Sequence, residues 1–251
     1  MTHPLFDPGS RLVIAHRGNS AHAPENTIEA LQSAVDLGAD ALEFDVRLTR
    51  DGVPVLLHDA TLDRTTSGQG RLSDFDLTQV RGLAAGRAAP QWTGARTAVP
   101  TLEEVLDRFR STPAMIEVKE LGAAEPTVQL IRRLGLEDHV ALGSDDVRVM
   151  AHLSRSGLRT CASRTDALFL LPLALLGIAP RAPRYDVLAI TPRYFGWPIP
   201  VLRMTAVAQG RGIPTHVWTV NDPADALAYW RGGVSGIVTD DPAAMLRARP
   251  R

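Results

Sequence analysis

Short apolar runs and stretches of helical period alternate along the chain. The runs Arg11–Ala15, Ala41–Leu48, Ala114–Val118, Val140–Gly143, Arg159–Ala162, Val187–Ile190, Thr215–Val220 and Gly236–Thr239 read as strands. Nearly every one precedes an amphipathic segment: Asn26–Leu37, Leu102–Phe109, Pro126–Leu134, Val147–Ser156, Ala167–Ile178, Val201–Arg211, Pro223–Trp230 and Pro242–Arg247. The helix starts carry their own punctuation. Thr101 with Glu104 is a capping-box pattern, and Asp222-Pro223 and Asp241-Pro242 each put an acceptor at the N-cap and proline at the first helical position. Eight strand-then-helix units in 251 residues predict an α/β fold, a (β/α)8 TIM barrel rather than a doubly wound sheet, as one domain over residues 1–251. The Gly- and Ala-rich segment Ala60–Val99 is long for a connection. It is expected to form a small insertion after the second strand, with a short helix, over part of the barrel mouth.

Composition narrows the function classes. With 45% hydrophobic and 22% charged residues the chain is ordinary globular material. A net charge of -1 gives no footprint for nucleic acid or an anionic membrane surface. The single cysteine, Cys161, excludes an internal disulfide and argues against a thiolate metal site. The stretch Met1-Thr2-His3-Pro4-Leu5-Phe6 lacks a basic segment followed by an apolar core, so no signal peptide is expected and a cytoplasmic location follows by default. Of 27 Lys and Arg residues only Lys119 is a lysine. A compact ammonium on the same strand face as Glu117 suits a site that needs a small charge beside an anion or metal.

In a barrel of this kind chemistry belongs at the C-terminal ends of the strands, and that is where the polar residues fall. His16-Arg17-Gly18 ends strand one, Glu43 and Asp45 lie on strand two, Glu117 and Lys119 on strand three, Trp218 and Asn221 after strand seven, and Asp240 and Asp241 after strand eight. Alternation puts Glu43 with Asp45, and Glu117 with Lys119, on one face each. Inward carboxylates on neighbouring strands repel strongly in a low dielectric, and a hard divalent cation, Mg²⁺ or Ca²⁺, removes that cost. Pairing with Arg47 or Lys119 is the simpler alternative. Asp51-Gly52 between apolar runs marks a hairpin, and a two-residue loop would set Arg50 against Val53 and Asp45 against His58. His16 and His58 then converge on the acids. Either could be a metal ligand or a satisfied core residue, but two imidazoles beside three acids, Arg17 and Lys119 fit acid/base chemistry on an anionic phosphate ester.

These residues resemble the glycerophosphodiester phosphodiesterase family. The likeness runs in order through His16-Arg17-Gly18, Pro24-Glu25-Asn26-Thr27, Glu43-Phe44-Asp45-Val46, Asp51-Gly52, His58-Asp59, Leu62-Asp63-Arg64-Thr65-Thr66, Pro100-Thr101-Leu102-Glu103-Glu104, Ile116-Glu117-Val118-Lys119, His216-Val217-Trp218-Thr219-Val220-Asn221 and Gly236-Ile237-Val238-Thr239-Asp240-Asp241-Pro242. The resemblance implies a TIM barrel that uses a divalent metal to hydrolyse glycerophosphodiesters to glycerol 3-phosphate and an alcohol. It further implies His16 and His58 as the general acid/base pair, Glu43, Asp45 and Glu117 as metal ligands, and Arg17 and Lys119 on the phosphate. Glu25 and Trp218 are expected around the site, Trp218 against the glycerol carbons, with an ordinary barrel-core aromatic as the close alternative for Trp218. The chain departs from the family after strand four, where Gly143-Ser144-Asp145-Asp146 replaces a Ser-Phe pair. The apolar run Ala167–Pro180, interrupted by Pro172, is too short to span a bilayer. It reads as a buried barrel helix or a self-association surface, or as an apolar lip for acyl chains. That last reading would bring lysophospholipase D-like cleavage and peripheral membrane contact. A catalytically dead barrel that only binds phosphate ligands is the alternative of another class, and it would need the loss of a histidine or acid that is present here. The oligomeric state is left open.

Overall fold

Eight staves close into a ring in chain order, as the alternation predicts. A computed structural model describes residues 3–179, 183–194 and 196–250. Its elements are β1 Leu12–His16, α1 Ile28–Leu37, β2 Ala41–Leu48, β3 Pro54–Leu56, α2 Leu77–Arg81, α3 Leu102–Arg108, β4 Ala114–Val118, α4 Leu121–Leu134, β5 Val140–Gly143, α5 Val147–Leu153, α6 Arg164–Leu175, β6 Leu188–Ile190, β7 Arg193–Tyr194, β8 Trp197–Pro198, α7 Val201–Gln209, β9 Thr215–Val217, α8 Pro223–Arg231, β10 Gly236–Thr239 and α9 Pro242–Ala248. Parallel pairing runs β5-β4-β2-β1-β10-β9-β6, with β3 antiparallel on β2. The expected fifth strand, Arg159–Ala162, is reduced to two isolated bridges, Leu142 to Thr160 and Cys161 to Val187. It still closes the ring: Cys161 N donates to Leu142 O (2.8 Å) on one side, and Ala162 N to Val187 O (2.7 Å) on the other. The Asp186 carboxylate accepts from Thr160 N (2.9 Å), so a side chain stands where a longer ladder would continue.

Alternate residues of each stave face opposite ways. Inward, Leu12, Ile14, Ala41, Met115 and Val238 meet Leu5 and Phe6 of a 3-10 turn, Pro4–Phe6, that plugs the barrel at the N-terminal ends of the strands. Outward, Leu42, Phe44, Val46, Ile116 and Val118 pack against α1, α3 and α4. The opposite wall has its own core, where Val13, Leu188 and Ile237 meet Met204, Trp230 and Met245. The apolar floor leaves only the C-terminal ends of the staves for polar groups. The segment after β3 adds a 3-10 turn, Leu72–Asp74, helix α2, and a small core of Val55, Leu62, Leu72, Val80 and Val99. Gln91 Nε2 ties it to Ala21 O in the β1–α1 loop (3.2 Å).

The hairpin register differs from expectation by one residue. Leu48 pairs with Pro54, Arg47 with Val55 and Val46 with Leu56. Thr49 is the reason. Its N–H donates to Val53 O (3.1 Å), its hydroxyl accepts from Val53 N (3.0 Å), and Gly52 sits at φ 80°, so the loop holds three residues instead of two. Asp45 therefore faces Leu57, whose N–H donates to Asp45 O (3.1 Å). Such a slip should turn His58 away. The ladder ends at Leu56, however, Arg47 Nε holds the His58 carbonyl (2.8 Å), and His58 lines the same cavity as His16 and Glu43.

Three helix starts also moved. Asn26, expected in α1, stands before it at φ 58°, and Thr27 is the N-cap. Helix α4 begins a turn ahead of Pro126, because Ala123 and Ala124 bury into the core there. A capping box of Ser163 and Asp166 starts α6 at Arg164 instead of Ala167. Pro180, the end of the apolar run, lies outside the described residues. Among the described residues no helix is long and apolar enough to cross a membrane.

Candidate active site

Glu43 and Asp45 alternate inward on β2, and the β2–β4 register sets Asp45 beside Glu117. One carboxylate oxygen from each of the three lies within 4.8 Å of the others. Asp45 is fully buried; its carboxylate accepts from Asn26 Nδ2 (2.8 Å) and makes ion pairs with Arg17 Nε (3.0 Å) and Lys119 Nζ (2.9 Å). Burial acts to raise its pKa, but Lys119 and Arg17 outweigh burial and hold the carboxyl below its usual range. Lys119 also pairs with Glu117 (2.7 Å). Glu43 is different. Its nearest cationic partner is His16 Nε2 at 3.8 Å, and burial, reinforced by Asp45, pushes its pKa up to about 7. The expected alternative partner, Arg47, is engaged elsewhere, with Glu120 (3.3 Å) and the His58 carbonyl. The cluster thus has more buried carboxylate than cation to match it. Its donor set is all oxygen, which fits a hard divalent ion.

Two imidazoles, His16 and His58, line the same cavity as Glu43 and Glu117. His16 ends β1, which pairs with both β2 and β10, and its Nδ1 lies 2.6 Å from Asp240 Oδ1 just past β10. Asp240 in turn accepts from Asn221 Nδ2 (2.6 Å) and Ser20 Oγ (3.0 Å). A carboxylate only accepts, so Nδ1 carries a proton and Nε2 faces the cavity. Burial acts to lower the His16 pKa, yet the Asp240 hydrogen bond and Glu43 overcome it and the net shift is upward. Burial likewise acts to raise Asp240, but the His16 hydrogen bond holds it at about 2. His58 Nδ1 meets Asp59 Oδ1 at 2.6 Å in the same manner. Arg64 Nε donates to Asp59 Oδ2 (2.6 Å) and keeps that carboxyl far below its ordinary range.

Arg17 sits at φ 55°, a left-handed conformation unusual for a residue with Cβ. Its N–H donates to Glu43 O (2.8 Å), and its guanidinium spans Asp45 and Glu25 Oε1 (2.9 Å). Gly18 follows at φ 86°, where a Cβ would meet the Ala30 backbone at 2.5 Å, so only glycine lets α1 approach this turn. Trp218 follows β9 and is 38% exposed, at the cavity rather than in the core.

A cavity of about 310 Å³ opens at this end of the barrel. His16, Arg17, Glu43, His58, Glu117 and Lys119 form its polar side, and Trp218 stands on its wall. Two of the expected residues do not line it. Asp45 lies beneath the cavity floor but keeps an oxygen in the acid cluster. Glu25 stands behind Arg17, with both its oxygens also bonded by Arg64 (2.6 and 2.9 Å). The sequence reading assigned no role to Asp240, Asp59, Asn26, Arg64 or Asn221. His58-Asp59 adjacency and the acid at the end of strand eight were visible signals for the first two. Asn26, Arg64 and Asn221 stand in the motifs shared with the family, and Asn221 at a strand end, but their partners are distant in sequence and suggested no role for them.

Residues 16–244 match the glycerophosphoryl diester phosphodiesterase family. A glycerophosphodiester phosphodiesterase of Caldanaerobacter subterraneus subsp. tengcongensis is 35% identical over 243 residues, covering 94% of this chain and 96% of that one. One of Bacillus subtilis is 32% identical over 269 residues, covering 95% and 86%. Among solved structures, a phosphodiesterase of Oleispira antarctica in complex with the product sn-glycerol-3-phosphate superposes with a TM-score of 0.74 at 26% identity, covering 94% of this chain and 96% of that one. A glycerophosphoryl diester phosphodiesterase domain of Mycobacterium tuberculosis shares the fold at a TM-score of 0.84 and 21% identity, covering 95% and 98%.

Proposed function

The chain belongs to the glycerophosphoryl diester phosphodiesterase family, and from that premise we propose how its residues divide the hydrolysis of a glycerophosphodiester to glycerol 3-phosphate and an alcohol. The substrate phosphate lies on the polar side of the cavity, between the two imidazoles. Arg17 and Lys119 donate to its oxygens. Glu43, Asp45 and Glu117 would hold a divalent cation, Mg²⁺ or Ca²⁺. When bound, that cation supplies charge neutralisation at phosphate and lowers the pKa of the attacking hydroxyl.

The chemistry of the residues is proton transfer. The glycerol 2-hydroxyl attacks phosphorus, one imidazole takes its proton at Nε2, and the other gives a proton to the leaving alcohol oxygen as its P–O bond breaks. Water then opens the cyclic phosphate with the two imidazoles exchanging roles, which leaves glycerol 3-phosphate. Asp240 and Asp59 hold the Nδ1 protons, so each ring presents the same nitrogen to the substrate. Trp218 packs against the glycerol carbons, and Glu25 aims the Arg17 guanidinium.

The observation that carries this reading is the pair of imidazoles, each bonded to a carboxylate at 2.6 Å, on one cavity with three acids inside 4.8 Å. We expect chelator to abolish release of choline from glycerophosphocholine. His16→Ala and His58→Ala should each reduce turnover by at least about 10²-fold, the usual scale for a general acid or base. Undiminished turnover in either variant would remove that residue from the scheme.

A further inference from the structure

The Gly143-Ser144-Asp145-Asp146 stretch that departs from the family begins at the end of β5. From there the cavity wall carries Ser144, Asp145, Ser163, Arg164, Thr191 and Tyr194. Helix α6 is not a buried barrel helix: within it only Leu170 and Ala174 are buried, and Leu168 and Leu171 line the same cavity. The hydroxyls of this wall are committed. Ser144 Oγ donates to Val118 O (2.6 Å), Ser163 Oγ to Asp166 Oδ2, and Thr191 Oγ1 to Arg193 O (3.0 Å). The two charges are not. Among the described residues the Asp145 and Arg164 side chains make no hydrogen bond or ion pair, with each other or with any other group. Arg164 lies over the Tyr194 ring, 5.4 Å from its centroid, a contact that uses none of its N–H donors. The cavity's other basic groups all have carboxylate partners: Arg17 and Lys119 share Asp45, His16 has Asp240 and His58 has Asp59.

Asp145 also stands against the charge of the site. Burial pushes the Glu117 carboxyl up, and Asp45 and Asp145 add to that push. A carboxylate on a cavity that receives a phosphodiester is unfavourable unless a cation offsets it. The ring of staves places the pair. Cys161 N bonds to Leu142 O, so Asp145 and Arg164 follow neighbouring staves at the same end of the barrel. In the order β5-β4-β2-β1-β10-β9, the staves of Lys119, Glu43 and Arg17 stand in the middle. Trp218 lies beyond one side of them, and Asp145 and Arg164 lie beyond the other. A phosphate in the middle with its glycerol toward Trp218 turns its second ester group toward the two free charges.

We propose that Asp145 and Arg164 form a headgroup subsite for an alcohol that carries an ammonium and a carboxylate on one carbon, as serine does. Asp145 accepts from the ammonium, and Arg164 donates to the carboxylate through the planar edge that suits it. The proposal rests on the phosphodiesterase reading above and deepens it: the same P–O bond breaks, with the serine hydroxyl as the group that leaves with a proton. A headgroup that is only cationic would meet Arg164 as a like charge, and one that is only anionic would meet Asp145. A neutral polyol would match neither. A zwitterion matches both.

The test is release of glycerol 3-phosphate, the product common to all three, from glycerophosphoserine, glycerophosphoethanolamine and glycerophosphoglycerol, with Mg²⁺ or Ca²⁺ supplied. We expect kcat/KM for the serine diester to exceed that for ethanolamine by about fivefold, and ethanolamine to exceed glycerol by about fivefold, the scale of one exposed ion pair each. Arg164→Gln should bring the serine-to-ethanolamine ratio to one or below. Asp145→Asn should bring the ethanolamine-to-glycerol ratio to one. Both residues are exposed, so the fold tolerates either change, and a ratio between substrates cancels any general loss of activity. Equal rates on the three diesters in the unmodified protein overturn the proposal while leaving the phosphodiesterase reading intact. So does a preference for ethanolamine over serine, or a preference for serine that survives both variants. Turnover of none of the three would overturn both readings together.

Discussion

The guanidinium of Arg64 joins the carboxylate that holds His58 to the carboxylate that holds Arg17. It donates to Asp59 (2.6 and 3.1 Å), which holds His58, and to Glu25 (2.6 and 2.9 Å), which holds Arg17. One planar fork therefore fixes His58 and Arg17, the proposed proton-transfer group and phosphate donor, against each other. Arg64→Ala is expected to lower kcat/KM by about 10- to 100-fold, the range for residues that orient a site from behind. Arg64→Lys should recover little of that loss, since a point charge cannot bond both carboxylates in a fork. Full activity in Arg64→Ala would refute the linkage. Asp240 is the counterpart on the other side. Its hydrogen bond, helped by Glu43, raises the His16 pKa against the effect of burial. In Asp240→Asn the limb of the kcat/KM pH profile that belongs to His16 should therefore move to lower pH. A limb that stays put or moves up would show that Asp240 does not set this titration.

Elements differ in how plainly their sequence states them. The bounds of β2, β4, β5 and β10 coincide with the expected runs, because each is a stave whose apolar alternation is uninterrupted. From these alone the facing of Glu43, Asp45 and Glu117 was legible. The β2–β3 register was not, since the hydroxyl of Thr49 decided the loop length and turn propensity did not. Asn26 was hidden for a similar reason: its amide answers to Asp45, a residue on another element. Strand β9 buries a group the sequence reading did not single out. His216 donates from Nε2 to Leu5 O (3.0 Å), and complete burial pushes its pKa down to about 4. An unfolded histidine titrates near pH 6.5, about where the unfolded chain takes up a proton that the folded chain refuses. The stability held by this group is therefore complete above about pH 6.5 and is lost as pH falls toward 4. Chemical denaturation at a series of pH values should show the midpoint falling through that window, and falling less steeply in His216→Gln. Equal slopes in the two proteins would contradict this account.

At the scale of the whole molecule the two ends of the barrel do different work. The N-terminal end is plugged by Leu5 and Phe6 against an apolar floor, which confines polar groups to the other rim. Leu5→Ala is expected to destabilise the fold by about 2–5 kcal/mol, read from denaturant midpoints, as for other fully buried leucines. A change within error would mean that the plug is dispensable. The open rim then concentrates Glu43, Glu117, two imidazoles, Arg17 and Lys119 on one cavity, with Asp45 beneath it, in a chain whose net charge is only -1. The central claim is that this rim is organised around a divalent cation. Its most direct test is calorimetric titration of Mg²⁺ and Ca²⁺ into chelator-treated protein at neutral pH, beside Asp45→Asn. The account predicts a single saturable site per chain, with proton release as Glu43 gives up its proton, and loss of that site in Asp45→Asn. No saturable binding, or binding unchanged in Asp45→Asn, would contradict it.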